Sequence, residues 1–232
     1  MKMMRQRAVW TNNLVALLIG LGMYATFAFL PEFVQTPTIA GYGFGASITQ
    51  SGLMLLPSSI TMFTVGIFAG RLTRMLGGKV LVIAGCVIGC AAMSMLAFAH
   101  QHEWEIYVAG AIMGVGFGLV FSAMSALIVA AVPPSQTGVA SGMNANIRTI
   151  GGSIGAAVMA SIVTSQLAPS GLPKESGYTT GFAAMAGGLV LAAVAGLFLP
   201  SALRRRHAVS AVDFAEVAVI PGGTIVGEPA AE

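Results

Sequence analysis

The chain has 232 residues, 56% of them hydrophobic and only 8% charged. Soluble domains carry about 25% charged residues, and 11 Lys+Arg with 8 Asp+Glu cannot coat a soluble particle of this length. This composition excludes a soluble enzyme, a disordered chain and a nucleic-acid binder, and two cysteines exclude a disulfide framework. What remains is an all-α polytopic membrane protein, because helices satisfy their backbone polar groups within one segment.

Charge-free gaps define six segments, each long enough for a hydrocarbon core of about 30 Å at about 1.5 Å per residue. The first runs over 12–33, after Lys2, Arg5 and Arg7. Its basic start and apolar run resemble a signal peptide, but the run is too long and no A-x-A site follows. Pro37, Gly41, Gly43 and Gly45 separate it from the second, 49–70, which has Pro57 inside it. That proline frees a carbonyl and predicts a kink, with Ser58 and Ser59 placed to resatisfy the backbone. Gly77-Gly78 precedes the third, 80–99. The fourth, 106–132, ends at Pro133-Pro134, where Ser135 is placed to cap the fifth, 136–166. Pro169, Gly171 and Pro173 lead into the sixth, 180–203.

Lys and Arg placement orients the segments. Lys2, Arg5, Arg7, Arg71, Arg74, Lys79, Arg204, Arg205 and Arg206 fall on one side if the segments alternate. That side is expected to be cytoplasmic, with both termini inside and the protein multi-pass in the cell (inner) membrane. The chain divides into a basic cytoplasmic N-terminus (1–11), a six-helix domain (12–203) and a cytoplasmic tail (204–232). From His207 onward the tail holds four acids and no Lys or Arg, and reads as disordered.

Glycine is frequent, at 30 residues. Most fall within segments at small-xxx-small spacing: Gly66/Gly70, Gly85/Gly89, Gly110/Gly114/Gly118, Gly138/Gly142 and Gly151/Gly155. Such rows let helix backbones approach closely in lipid, where apolar side chains supply no drive to associate. They suit plain packing and also helices that rock against each other. The run from Gly114 to Gly118 fails as a nucleotide loop, since Leu119 replaces the last glycine and the run sits inside an apolar helix.

Arg148 is the only charge deep within a segment. It lies about twelve residues into the fifth, roughly 18 Å from its start, where a charge costs about 2.5–3.5 kcal/mol on insertion scales. Helical spacing sets Ser141, Asn144, Arg148, Gly151 and Gly155 on one polar, small-residue stripe. Ile147, Ile150, Ile154 and Val158 occupy the other half. No carboxylate lies at that depth. Three readings stand: Arg148 bonds helix-end carbonyls and polar neighbours, pairs with a carboxylate outside this chain, or attracts an anionic substrate group. Tyr24, Phe27, Phe117 and Phe121 are candidates, with Asn144 and Arg148, to line a substrate cavity; packing is the alternative. Cys86 and Cys90 are four apart with no third ligand and read as small core residues, and no metal or cofactor site emerges. His100 and His102, with Glu103 and Glu105, read as a solvated loop. No intramembrane Ser/His or Asp pair suits a protease, so the chain reads as a non-enzyme.

The run Gly70-Arg71-Leu72-Thr73-Arg74-Met75-Leu76-Gly77-Gly78-Lys79 resembles the G-x-L-A-D-R-x-G-R-[RK] signature of the major facilitator superfamily. That signature follows the second helix of each six-helix half. Gly70, Leu72, Gly77 and Lys79 match; Arg74 stands in place of the signature Asp, which removes any Asp-based gating contact here. The fourth segment's glycine ladder, Pro133-Pro134, the Thr137-to-Gly142 run, Asn144, Arg148 and the Gly151-to-Gly155 run look like the C-terminal half of the fourteen-helix drug:proton antiporters. Leu30-Pro31, Gln35, Gly52-Leu53 and Leu56-Pro57 fit the same family.

The resemblance implies a half-bundle of two inverted three-helix repeats, first to third and fourth to sixth segments. It places the first and fourth beside a cavity, the second and fifth at the gates, and the third and sixth at the periphery. It implies proton-driven export of small hydrophobic drugs, with proton-carrying carboxylates mostly in an N-terminal half. The expectation is therefore a truncated or split C-terminal half in the bilayer, partnered by an N-terminal six- to eight-helix half. The alternatives are a non-transporting membrane subunit or scaffold, and a homodimer whose second copy rebuilds the cavity.

Overall fold

The computed structural model describes residues 6–169 and 171–200. The tail expected over 204–232 lies outside them. Six helices are long and apolar enough to cross a membrane among the described residues: α1 (Arg7–Gln35), α2 (Ile48–Leu76), α3 (Gly78–Phe98), α4 (Glu103–Ala131), α5 (Thr137–Thr164) and α6 (Glu175–Leu197). Strand structure among the described residues is limited to one bridge between Leu167 and Pro173. The end of the bundle where α1 begins is called proximal here, and the other distal.

Helices α1 and α2 extend past their segments at both ends, α3, α4 and α6 begin and end earlier than theirs, and α5 lies within its own, because caps and turns rather than the limits of an apolar run decide where a helix stops. Helix α2 begins with a capping box: Ser47 Oγ accepts from Gln50 N–H, and Gln50 Oε1 accepts from Ser47 N–H at 2.8 Å. It ends at Gly77, whose φ of 83° and ψ of 145° let one residue close α2 and open α3. Two local expectations are corrected. Ser135 does not cap α5; it lies in the 3₁₀ turn Pro134–Gln136, and Gln136 holds the cap position without a side-chain bond. Pro31 and Pro57 lie inside α1 and α2. Beside Pro57, Ser58 donates to Leu55 O at 2.7 Å rather than to the carbonyl of Leu53 that the proline frees, while Thr61 reaches across to Ala111 O of α4 at 2.9 Å.

The helices pair in a pattern with internal symmetry. Helix α1 packs on α5 and α6, α4 packs on α2 and α3, and α3 packs on α6. Exchanging α1 with α4, α2 with α5 and α3 with α6 reproduces the same pairings. Asn12 near the start of α1 bonds Met124 near the end of α4, so the exchanged helices run in opposite senses. This is a half-bundle of two inverted three-helix repeats.

Glycine sets the closest seams. A Cβ at Gly20 of α1 would collide with the backbone carbonyl of Arg148, and one at Gly151 or Gly155 with the carbonyls of Leu17 or Leu21. In the matching seam of the other repeat, a Cβ at Gly114 would collide with the carbonyl of Ser58, and Gly118 faces Met62 and Val65. Gly110 lies against Met54, and Gly85 against Gly116. Gly138, Gly142, Gly66 and Gly70 are exceptions to the expected packing rows. Nothing lies within 4 Å of a Cβ built at any of them, because α2 and α5 pack by one face only.

Candidate functional site

Helices α2 and α5 carry the bundle's open surface. Only 17% of the most apolar stretch of α2 and 28% of that of α5 are buried, against 50–61% for the other four. The open faces are mixed in character. On α2, Leu53, Leu56, Ile60, Phe63 and Ile67 alternate with exposed Gly52, Ser59, Thr64 and Gly66. On α5, Ile150, Ile154 and Val158 stand among exposed Ser141, Gly142, Asn146, Thr149 and Ser153.

Arg148 sits near the middle of the 28-residue α5. Its backbone is clamped in the α1 seam by Gly20, while its side chain leaves that seam toward α4. There the guanidinium carbon lies 4.5 Å from the ring centroid of Phe121. The electron-rich ring face partly replaces the water the cation gives up, an interaction of about 0.5–2 kcal/mol. Phe121 in turn stacks on Phe117, centroids 6.3 Å apart and planes 14° from parallel. Arg148 Nε is buried without a hydrogen-bond partner, and no carboxylate pairs with the guanidinium among the described residues. The site is a half-buried cation with an aromatic floor and unused donors.

The other candidates divide. Tyr24 is partly exposed and packs against Gly152, where a Cβ would meet Tyr24 Cδ2 at 2.5 Å. Phe27 and Phe121 are partly buried against the core. Phe117 and Asn144 leave the cavity set. Phe117 is 1% exposed, because its ring fills the space between α4 and Gly89 of α3. Asn144 is 4% exposed, because its amide closes the α1–α5 seam: Nδ2 donates to Asn13 Oδ1 at 2.9 Å and to Asn12 O at 3.4 Å. Asn12 and Asn13, which sequence reading passed over, complete this buried asparagine cluster. Their signal was two adjacent amides facing Asn144 from the proximal turn of α1.

The loop signature is structural at its end. Leu72 is half-buried, Arg74 is exposed, and Gly70 faces open space. Gly77 supplies the turn, and Lys79 Nζ donates to Leu197 O at the C-terminus of α6. A cation there satisfies an end carbonyl and complements the helix dipole. Cys86 is buried and Cys90 half-buried in the α3 core. Among the described residues no group of three metal-ligating side chains occurs. His102 is exposed as expected, whereas His100 is 8% exposed and belongs to the packed distal end rather than to a solvated loop.

Comparison with known proteins agrees with this architecture. The sequence is 31% identical over 164 residues to a tetracycline resistance determinant of Streptomyces rimosus, covering 68% of this chain and 45% of that one. It is 31% identical over 146 residues to the multidrug resistance protein Stp of Mycobacterium tuberculosis, covering 62% of this chain and 26% of that one. It is 24% identical over 168 residues to the multidrug transporter protein MdtP of Bacillus subtilis, covering 72% and 30%. The matches therefore span less than half the length of each of these relatives. The profile of the Major Facilitator Superfamily matches residues 13–230, and the chain belongs to that family of multi-pass membrane transporters, which are not enzymes.

Proposed function

We propose that the chain works as the C-terminal half of a fourteen-helix drug:proton antiporter. It exports small hydrophobic drugs against protons across the cell membrane, with the proximal end and both termini in the cytoplasm. The observation that carries this reading is the mixed character of the open faces of α2 and α5. Lipid is matched by a uniformly apolar surface, and polar groups at membrane depth are costly against it. Ser141 and Asn146 on α5, with Ser59 on α2, suit a protein partner and a watery cavity instead, whereas Thr149, Ser153 and Thr64 bond carbonyls of their own helix and add only small polar surface. Relatives two to four times longer than the matched stretch supply room for that partner. The Lys and Arg of the α2–α3 turn and of α1's start support the orientation.

In this reading an N-terminal half seats on α2 and α5, and Tyr24, Phe121 and Arg148 line the cavity between the halves. Proton-carrying carboxylates come from that other half, since none lies at Arg148's depth here. The test expresses this chain in cells with and without a separate N-terminal half of a related exporter. Co-purification of the two, and dye efflux only when both are present, support the reading. Uncoupler-sensitive efflux by this chain alone overturns it. A dimeric mass of the chain alone in mild detergent points to two copies rebuilding the cavity.

A further inference from the structure

The distal end holds a polar and aromatic cluster that the export reading leaves unused. His100, just past α3, stands edge-on to Phe33 of α1, ring centroids 5.1 Å apart at 86°. Its Nδ1 lies 2.8 Å from Leu96 O, and its Nε2 lies 2.9 Å from Glu175 Oε1 at the first turn of α6. Beside it, Tyr178 OH donates to Glu32 Oε1 at 3.0 Å, and Tyr42 OH donates to Pro173 O at 2.5 Å. Phe33 packs against Tyr42 and Tyr178 as well. These bonds tie the end of α3 to α6, α6 to α1, and the α1–α2 loop to the α5–α6 loop. A cavity of about 420 Å³ opens beside the pair, lined by Thr38, Tyr42, Phe44 and Gln101 among others, and gives water a route to it.

Both partners of His100 are acceptors. A carbonyl oxygen only accepts, and an ionised carboxylate only accepts. A neutral imidazole has one N–H and can satisfy only one of them. The observed arrangement closes only with one further proton on the ring, giving Nδ1–H to Leu96 O and Nε2–H to Glu175. We propose that His100 and Glu175 form a proton-binding latch that closes the distal end of the bundle. With the shared proton bound, α3 and α6 are joined. When it leaves, the Nε2 lone pair faces the carboxylate lone pairs and the joint opens. The latch is therefore closed on the acid side and released as pH rises.

The groups around the pair do not replace that proton. From α1 come Glu32 and Phe33, from α6 Tyr178, and from the α1–α2 loop Tyr42. The next residues along the chain from His100 are Gln101 and His102, and His102 turns instead to Glu105 at 3.6 Å. Lys174 precedes Glu175 and is exposed, and no Lys or Arg pairs with Glu175 among the described residues. Burial, partly offset by the Thr36 hydroxyl, and then the charges of Glu32 and Glu175 push the Tyr42 hydroxyl above the ordinary tyrosine range. It stays a donor to Pro173 across the pH range in which the latch works.

The latch is tested on the full chain in lipid nanodiscs, independently of any transport. Ring-¹⁵N-labelled histidine is followed from about pH 5 to about pH 8, the range of histidine's charge change. Backbone hydrogen exchange, corrected for its intrinsic pH dependence, is read at Ala99 and Gly177, whose N–H groups bond Met95 O at the end of α3 and Lys174 O at the start of α6. The His100 signal, assigned by its loss in His100→Gln, should show two ring N–H groups at the acid end. Protection at Ala99 and Gly177 should fall about threefold on the alkaline side, because the Glu175 carboxylate is half-exposed and such pairs are screened by water. Glu175→Gln should keep protection and remove its pH dependence, because a glutamine amide can donate to a neutral Nε2. A single ring N–H on His100 at the acid end overturns the proposal, as does an unchanged pH dependence in Glu175→Gln. If His100→Gln fails to fold, loss of the other two signals in His102→Gln and His207→Gln assigns His100 by elimination and decides the first point.

Discussion

The guanidinium of Arg148 lies over the ring of Phe121, 4.5 Å from its centroid, and so joins α5 to α4, helices that otherwise touch little. The contact crosses between the two inverted repeats at mid-helix depth. It provides the described partner of the one charge buried deep in a segment, and it leaves Nε without a bond.

Replacing this cation should therefore harm movement more than folding. Arg148→Ala is expected to lower thermal stability in detergent by only about 1 kcal/mol, the scale of one cation–π contact. Efflux by the assembled transporter should nonetheless fall severely. Arg148→Lys should restore the charge but not the planar stacking, and so recover efflux only in part. Melting curves and dye efflux, measured side by side, check both expectations.

The glycine seams predict a sharp positional contrast. Gly151→Leu forces α5 off the Leu17 carbonyl of α1 and should cost about 3 kcal/mol or prevent folding. Gly142→Ala, nine residues earlier on the same helix, meets nothing within 4 Å and should be neutral or stabilise by up to about 1 kcal/mol. Folded yield in detergent and unfolding midpoints separate the two.

The open faces predict a defect visible only in the assembly. Gly142→Leu should leave the melting curve of the isolated chain unchanged and weaken co-purification with an N-terminal half. Equal co-purification of parent and variant would place the partner elsewhere.

Gly77 predicts the cost of an ordinary residue at the α2–α3 turn. Its φ of 83° with ψ of 145° is a region essentially restricted to glycine. Gly77→Ala should destabilise by about 1–3 kcal/mol, read as a lowered unfolding midpoint. Leu72 and Lys79, also signature positions, should tolerate conservative change better, since neither depends on a special backbone conformation.

The asparagine cluster predicts a modest seam defect. Asn144→Leu removes the donor to Asn13 Oδ1 and Asn12 O. Hydrogen bonds between membrane helices average about 0.6 kcal/mol, so a loss of about 1 kcal/mol is expected, with faster hydrogen exchange at the start of α1.

Six spans were legible in the residues alone, and the family and repeat boundary through the resemblance those residues carry. Hydropathy and charge are properties of short stretches, and a bilayer reads them stretch by stretch. Arg148 could be singled out for the same reason, since one charge in an apolar run needs no fold to be noticed. What the residues did not reveal was which surfaces meet. Gly142 and Gly151 have the same local signature, yet one faces open space and the other lies on a carbonyl of α1. Asn144 and Phe117 looked like cavity residues and are buried at helix seams. His100 looked like a loop residue and is held between Leu96 and Glu175. Each of these outcomes depends on the partner helix, distant in sequence, and on the rotation with which it docks. Tertiary packing alone decides those, because a helix presents several faces and its own sequence does not say which neighbour will cover each.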